Sequence, residues 1–232
     1  EYSYINIIMA NVIKLRKGLD INLKGKANFE TIRRIDSSEI ALVPDSFGGV
    51  MPKVIVREGD CVKAGDALFV DKKYPEMKFA SPISGTVKAV VRGDRRKVLY
   101  VKVKADETQQ FVDFGIKDIA NLDGKAIKEA LLASGLFSFI QQLPYAVTTT
   151  PDTMPKAIFV SAFRDMPLAS DFEVELKGNE KDFQTGLTAL SKIQKTYLGL
   201  SVHQTASALV NAKDVEINVF DGKCPAGNVG VQ

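Results

Sequence analysis

The stretch Lys53-Val-Ile-Val-Arg-Glu-Gly-Asp60, Cys61-Val-Lys-Ala-Gly-Asp66, Ala67-Leu-Phe-Val-Asp71 and, past a tip at Lys72–Pro75, Met77–Ala80 and Ser81-Pro-Ile-Ser-Gly85 decides the fold of the first half of the chain. Short β-forming runs alternate there with Gly-Asp and Pro-Gly turns. The pattern continues through Thr86–Val91, the turn Arg92-Gly93-Asp94 and Val98–Lys104. Strands this short, punctuated this regularly, indicate a small all-β sandwich or barrel. Glycine supplies the positive φ that the tight turns demand. Val54-Ile-Val-Arg-Glu-Gly-Asp60 is echoed by Ala89-Val-Val-Arg-Gly-Asp94, and a two-fold quasi-repeat of hairpins is how a barrel-sandwich hybrid is built.

Upstream, residues 12–35 read as a mixed polar and apolar lead-in with turns at Lys17-Gly18 and Lys24-Gly25. Met9 reads as a start, which makes Glu1–Ile8 a candidate non-native addition. Downstream, Ile119–Leu132 places Leu122, Ala126, Ile127, Ala130 and Leu131 on one helical face, with Gly135 as the stop. Leu143–Pro155, rich in Thr and Pro, reads as a loop. Lys156-Ala-Ile-Phe-Val-Ser161 is a near-continuous apolar run, the pattern of a strand buried on both faces. Asn179–Ile193 follows as an amphipathic helix, Lys195–Val202 as a strand, Gln204–Ala212 as a helix and Val215–Phe220 as a strand. That alternation predicts parallel strands in an α/β layer. The expected fold class is therefore α+β and multidomain. Residues 1–35 form an N-terminal extension, 36–105 a barrel-sandwich hybrid, 106–150 a helical linker and loop region, and 151–232 the first part of an α/β domain. Because Gly222–Gln232 stops inside a glycine-rich loop, the chain is expected to be a truncated piece of a longer protein.

Composition narrows the function. Of 232 residues, 45% are hydrophobic and 25% charged, as in an ordinary globular protein, and the net charge of +3 gives no concentrated basic stripe for nucleic acid. The run Arg92-Gly-Asp-Arg-Arg-Lys97 is read as a solvated turn in preference to a phosphate or lipid contact. Cys61 and Cys224 stand far apart and match no metal or redox spacing. No secretory signal is evident, so a reducing cytoplasmic compartment is the expectation. The apolar runs Tyr4–Ala10 and Leu131–Ile140 fall short of the roughly 20 residues that span a bilayer. Any link to a membrane is expected to run through partners.

The pattern Val-x-Glu-Gly-Asp-x-Val-Lys-x-Gly-Asp-x-Leu (56–68), followed by Ser-Pro-x-Ser-Gly-x-Val (81–87), resembles biotinyl and lipoyl carrier domains. Such a domain carries its prosthetic group on a lysine at a hairpin tip. Met77-Lys78 is similar to the biotinyl motif, but Lys78 lies too close to Gly85. Asp71-Lys72 is similar to the lipoyl motif, yet Lys73-Tyr74-Pro75 departs from it. The lysines are read as solvated, on an unmodified hairpin.

Ser134-Gly-Leu-Phe-Ser-Phe-Ile-Gln-Gln-Leu-Pro144 and Pro155-Lys-Ala-Ile-Phe-Val-Ser-Ala-Phe-Arg-Asp-Met-Pro-Leu168 resemble the flavin domain of the complex I NADH-oxidising flavoprotein and of Rnf C subunits. Those relatives have a Gly-rich loop before the strand, whose amides close on the flavin phosphate, and an acidic stretch after it. Here Gly135 and Pro144 remain, with Phe137, Phe139, Ile140 and Gln141 between them, and the acidic stretch has become Phe163-Arg164-Asp165-Met166-Pro167. A barrel followed by such an altered flavin fold resembles the A-subunit family of the sodium-translocating NADH:quinone oxidoreductases. Ile13-Lys-Leu-Arg-Lys-Gly-Leu-Asp20, Leu68–Lys73, Ala157–Val160 and Phe220-Asp-Gly-Lys-Cys-Pro-Ala-Gly227 carry the same resemblance. Cys224 departs from it, since the family more often has histidine there.

The resemblance implies a peripheral member of a respiratory complex on the cytoplasmic face of a bacterial inner membrane. It docks on other subunits, especially the B subunit, and takes part in quinone access. NADH, flavins, an iron–sulfur centre and ubiquinone belong to the whole complex, which couples electron transfer to sodium ion transport. This chain alone is expected to hold none of the redox cofactors and to catalyse nothing, with quinone left open as a partner, so no catalytic, cofactor-binding or metal residue is assigned. The loop Cys224–Gly230, with Gly227 and Gly230, is read as a structural turn rather than a phosphate cradle. His203, the sole histidine, is read as structural, and Asp165 and Asp171 as either ligand groups or loop caps. Two other readings stay open: an Rnf-type electron-transport C subunit, and a biotin or lipoate carrier module.

Overall fold

The computed structural model describes residues 11–24, 37–115 and 118–232. The first eight residues, the Tyr4–Ala10 run and Gly25 lie outside the described residues. Two compact units are present: one holds 37–115, 118 and 125–154, the other 11–24, 119–124 and 155–232. Strand β1 (Asn11–Lys14) opens the described chain and belongs to the second unit.

The first unit is the barrel-sandwich hybrid. Its strands are β2 (Glu39–Leu42), β3 (Pro52–Val54), β4 (Cys61–Val62), β5 (Ala67–Asp71), β6 (Lys78–Ala80), β7 (Gly85–Arg92) and β8 (Val98–Ala105). They pair antiparallel in two sheets, β2-β8-β7-β4 and β3-β5-β6. Val87, Val101 and Val103 from one sheet pack with Leu68, Phe69 and Phe79 from the other, around Val62 and Met77, and a register shift between Ala67 and Phe69 lets the adjacent Leu68 and Phe69 both join this core. Phe69 and Phe79 are fully buried and stack at 4.7 Å, with Phe47 edge-on to Phe79 at 4.8 Å. Gly85 is dictated by space: a Cβ there would lie 1.9 Å from the Lys104 carbonyl oxygen across the β7–β8 ladder.

Helix α1 (Gly124–Ser134) begins later than the predicted Ile119, behind a 3-10 turn at Ile119–Asn121. It ends where predicted: Gly135 adopts φ 79° and donates to the Leu132 carbonyl. Within the predicted Leu143–Pro155 loop, β10 (Val147–Thr148) pairs with β9 (Gln141–Gln142).

The second unit is a four-stranded, wholly parallel sheet. It is built from β11 (Ile158–Ser161), β12 (Thr196–Ser201) and β13 (Glu216–Asp221) in the order β1-β13-β12-β11. Helices α2 (Phe172–Leu176) and α3 (Glu180–Ile193) join β11 to β12, and α4 (Ser207–Val210) precedes β13. Leu187 of α3 and Leu209 and Val210 of α4 pack with Leu198 and Leu200 of β12.

Three further elements differ from expectation. The lead-in contributes β1, which Val12 and Ile13 pair to Val219 and Phe220. The Ile158–Ser161 strand is not buried on both faces. Among the described residues its strand partner is β12 alone, and Phe159 stays 55% exposed, stacked on Tyr197 at 5.3 Å. The more deeply buried strand is β12, where Thr196, Leu198, Gly199 and Leu200 are buried. The predicted Gln204–Ala212 helix shrinks to one turn, because the Gln204 side chain takes the Thr205 and Ala206 amides and Asp214 turns to φ 64°. No helix among the described residues is long and apolar enough to cross a membrane.

Candidate functional site

The β5–β6 hairpin would be the business end of a carrier domain. Its tip is set by Asp71, which is buried at 5% exposure. One carboxylate oxygen accepts the Met51 amide at 2.8 Å, and the other accepts Lys73 at 2.7 Å and Tyr74 at 3.0 Å. These bonds turn the backbone so that Lys72 and Lys73 face solvent, while Lys78 sits within β6 opposite Val70. Lys73 lies over the Tyr74 ring at 4.8 Å, and contact with Tyr74 raises its ammonium pKa. Tyr74 in turn donates to Asp152 at 2.6 Å. That bond, added to the one from Thr150, holds the Asp152 carboxyl below the usual range. A cleft of about 170 Å³ beside the tip is lined by Met51, Lys73, Met77, Thr148 and Thr150 among others. Sequence reasoning found the lysines but missed Asp152, whose partner is distant in the chain.

The segment corresponding to the flavin loop belongs to this same unit. Gly135 is required by its left-handed backbone and by space, since a Cβ would meet Ala80 at 3.0 Å. Leu136–Phe139 forms a 3-10 turn in which Phe137 and Ser138 are buried. The Ile140 amide donates to Phe137, Thr149 donates to Ile140, and Thr148 donates to Gly48. Phe139 remains exposed, edge-on to Phe47 at 5.8 Å. A flavin phosphate needs close approach to several free amides. Here side chains and internal bonds occupy that position, and the residues do not fit the group.

In the second unit the loops after β11, β13 and β1 meet at the carboxyl end of the strands, where open α/β sheets place ligand groups. Asp165 accepts the Gly227 amide at 2.7 Å, and Asp20 accepts the Cys224 amide at 3.1 Å. The Leu19 amide donates to the Cys224 carbonyl at 2.9 Å. Gly18 and Gly227 both permit close backbone contact: a Cβ on Gly18 would meet the Cys224 oxygen at 2.6 Å, and one on Gly227 the Asp165 carboxylate at 2.8 Å. The Gly230 amide turns back onto Asn228, and Asn228 donates to Pro225. The amides that a phosphate would need are thus held by the protein's own oxygens. Desolvation, reinforced by Asp165 and Asp20, raises the Cys224 thiol pKa, and its sulfur lies 3.8 Å from that of Met166. Asp171 caps α2 through the Glu173 amide at 2.8 Å. His203 is exposed, with its amide on Ser201. Arg164 pairs with Glu175 at 2.6 Å and covers the Phe172 ring. The Leu15–Asp20 contribution was missed, because its place depends on β1. Cys61 is exposed on β4 of the other unit, and both cysteines are free. Among the described residues, no group of three His, Cys, Asp or Glu side chains is placed to hold a metal ion.

Comparison with known proteins matches residues 13–106 to the NqrA N-terminal barrel-sandwich hybrid domain and residues 122–232 to the NqrA second alpha/beta domain. Curated relatives, each named as the A subunit of a Na(+)-translocating NADH-quinone reductase, include that of Yersinia pseudotuberculosis, 35% identical over 224 residues. Those of Actinobacillus pleuropneumoniae and Neisseria meningitidis are 34% identical over 225 and 224 residues. Each alignment covers 94% of this chain and 50% of the relative, so the chain spans about half the length of the curated relatives it matches. With its two halves matched to successive domains of one family, the chain belongs to the NqrA family, the A subunits of the Na(+)-translocating NADH-quinone reductases.

Proposed function

We propose that this chain is a non-catalytic, peripheral part of a sodium-pumping NADH:quinone oxidoreductase. It sits on the cytoplasmic face of the membrane and docks on the membrane subunits, the B subunit first among them. Its task is to support electron transfer from NADH to quinone coupled to sodium export. The flavins and the iron–sulfur centre belong to other subunits, since cofactors carry such chemistry.

The observation that carries this reading is the filling of the flavin-loop position. Phe137 is buried there and the neighbouring amides bond to protein oxygens. A fold related to a flavoprotein then serves as a scaffold. The test is to tag the chain in a host that makes the whole complex and to purify it from membranes. It should co-purify with the membrane subunits, cross-link to the B subunit, and be colourless once separated. A stoichiometric flavin absorption band on the separated chain, or failure to co-purify, overturns the reading.

A further inference from the structure

The turn that joins β7 to β8 has a backbone unusual for its residues. Arg95 adopts φ 54° and Arg96 φ 62°, the left-handed region that side chains bearing a Cβ rarely occupy. Hairpin turns with two consecutive positive-φ positions are ordinarily Asn-Gly or Gly-Gly. Here two long cationic residues stand in their place. The turn is closed by the Gly93 amide on the Lys97 carbonyl at 2.8 Å and by Lys97 on Asp94 at 3.1 Å. Lys97 is neutralised by Asp45 at 2.6 Å. Arg92 donates to the Arg96 carbonyl at 3.3 Å, which brings its guanidinium to the same end of the hairpin.

Arg92, Arg95 and Arg96 are all exposed, and among the described residues none of the three takes part in an ion pair. Asp94 is the sole acid within the turn. A local rule is thus broken with no acidic side chain among the described residues paired to these arginines, and such departures collect at functional positions.

The run reads from sequence alone as a solvated turn, and its left-handed arginines change that reading. We propose that this hairpin is a membrane-surface contact, with Arg92, Arg95 and Arg96 engaging the phosphates of anionic lipid headgroups. The inference rests on the peripheral placement proposed above. The chemistry favours lipid over a free anion: the arginines stand exposed on a hairpin turn, not in an enclosed site, and guanidinium is matched to phosphate. Leu99, 37% exposed and packed against Gly93, adds an apolar foot beside the charges.

The test is co-sedimentation of the chain with vesicles of phosphatidylcholine alone, or with phosphatidylglycerol added. Binding is expected to the anionic vesicles only and to fade in high salt. Each arginine near such a surface contributes about fivefold, so Arg95→Asn with Arg96→Gly should bind about 25-fold more weakly. That double variant supplies the turn its preferred residues, and its Tm should rise by roughly 4 °C. Weaker binding with equal or greater stability separates lipid contact from damage to the fold. Arg95→Lys with Arg96→Lys keeps the charge and should bind within about threefold of the parent. Unchanged binding by the Asn-Gly variant overturns the proposal. So does displacement by millimolar inorganic phosphate, which would mark a free-anion site. So does loss of co-purifying subunits without any vesicle binding, which would mark an acidic protein partner. Co-purification of the unaltered chain with the complex is scored separately, so that the peripheral placement fails or stands on its own.

Discussion

Replacing Asp71 tests whether the hairpin tip is held by one buried carboxylate. That carboxylate accepts backbone amides from Met51, Lys73 and Tyr74 at 2.7–3.0 Å and is 5% exposed. Hydrogen bonds to a charged group contribute about 1.5–3 kcal/mol each. They are not additive, and water replaces part of what the two turn amides lose, so Asp71→Ala is expected to cost about 3 kcal/mol. Asp71→Asn keeps one accepting oxygen but sets an NH2 group against one of the amides, and should cost about 2 kcal/mol. Both are large against the roughly 5–15 kcal/mol that holds a domain folded. The chain has no tryptophan, so urea unfolding is followed by far-UV circular dichroism. Hydrogen exchange at the Lys73 and Tyr74 amides gives the local readout. Faster exchange at those amides with a lower urea midpoint is the expected pair of results. A loss below about 1 kcal/mol in both variants, with exchange unchanged, would refute the assignment of the tip to Asp71.

Phe79→Ala removes a ring that is stacked on Phe69 and met edge-on by Phe47. It should lower barrel stability by about 3–5 kcal/mol in the same urea titration. Gly85→Ala should fail to form the β7–β8 ladder, seen as lost amide protection at Thr86 and Lys104, because its Cβ would overlap the Lys104 carbonyl. Glu39 accepts from Lys88 and, at 2.9 Å, from Lys102, and these ammonium groups hold its carboxyl at about 2. A depressed folded-state pKa contributes stability above the unfolded value and loses it as pH falls through the folded one. The stability difference between parent and Glu39→Gln should therefore be largest above about pH 5 and shrink towards pH 2 in acid titrations of the urea midpoint.

Much of the barrel was legible because its signals are local. Gly59 and Gly65 sit at φ 91° and 102°, and each follows a short β run that the turn brings back on itself. The C-terminal stop of α1 at Gly135 was legible for the same reason. What escaped was whatever depends on a distant partner. Val12 and Ile13 look unremarkable until Val219 and Phe220 lie beside them. The apolar run at Ile158–Ser161 reads as a strand, but one run of sequence does not say how many neighbours a strand has. Asp165 and Asp171 read as either ligand groups or loop caps; both are caps, but that Asp165 holds Gly227 depends on a residue far along the chain.

The sequence by itself determined the hairpin grammar of the barrel, the strand–helix alternation after it and the family. Turn chemistry and hydrophobic period act over a few residues and are written in the order of the letters. Only the tertiary structure decided which segment joins which sheet, which strand is buried, and whether a loop's amides are free or already taken. Those outcomes depend on contacts between residues far apart in the chain. The flavin-like segment illustrates both. Its missing glycines were visible in the letters, but the burial of Phe137 and the bonds of Ile140 and Thr149 emerged only once the chain had closed on itself.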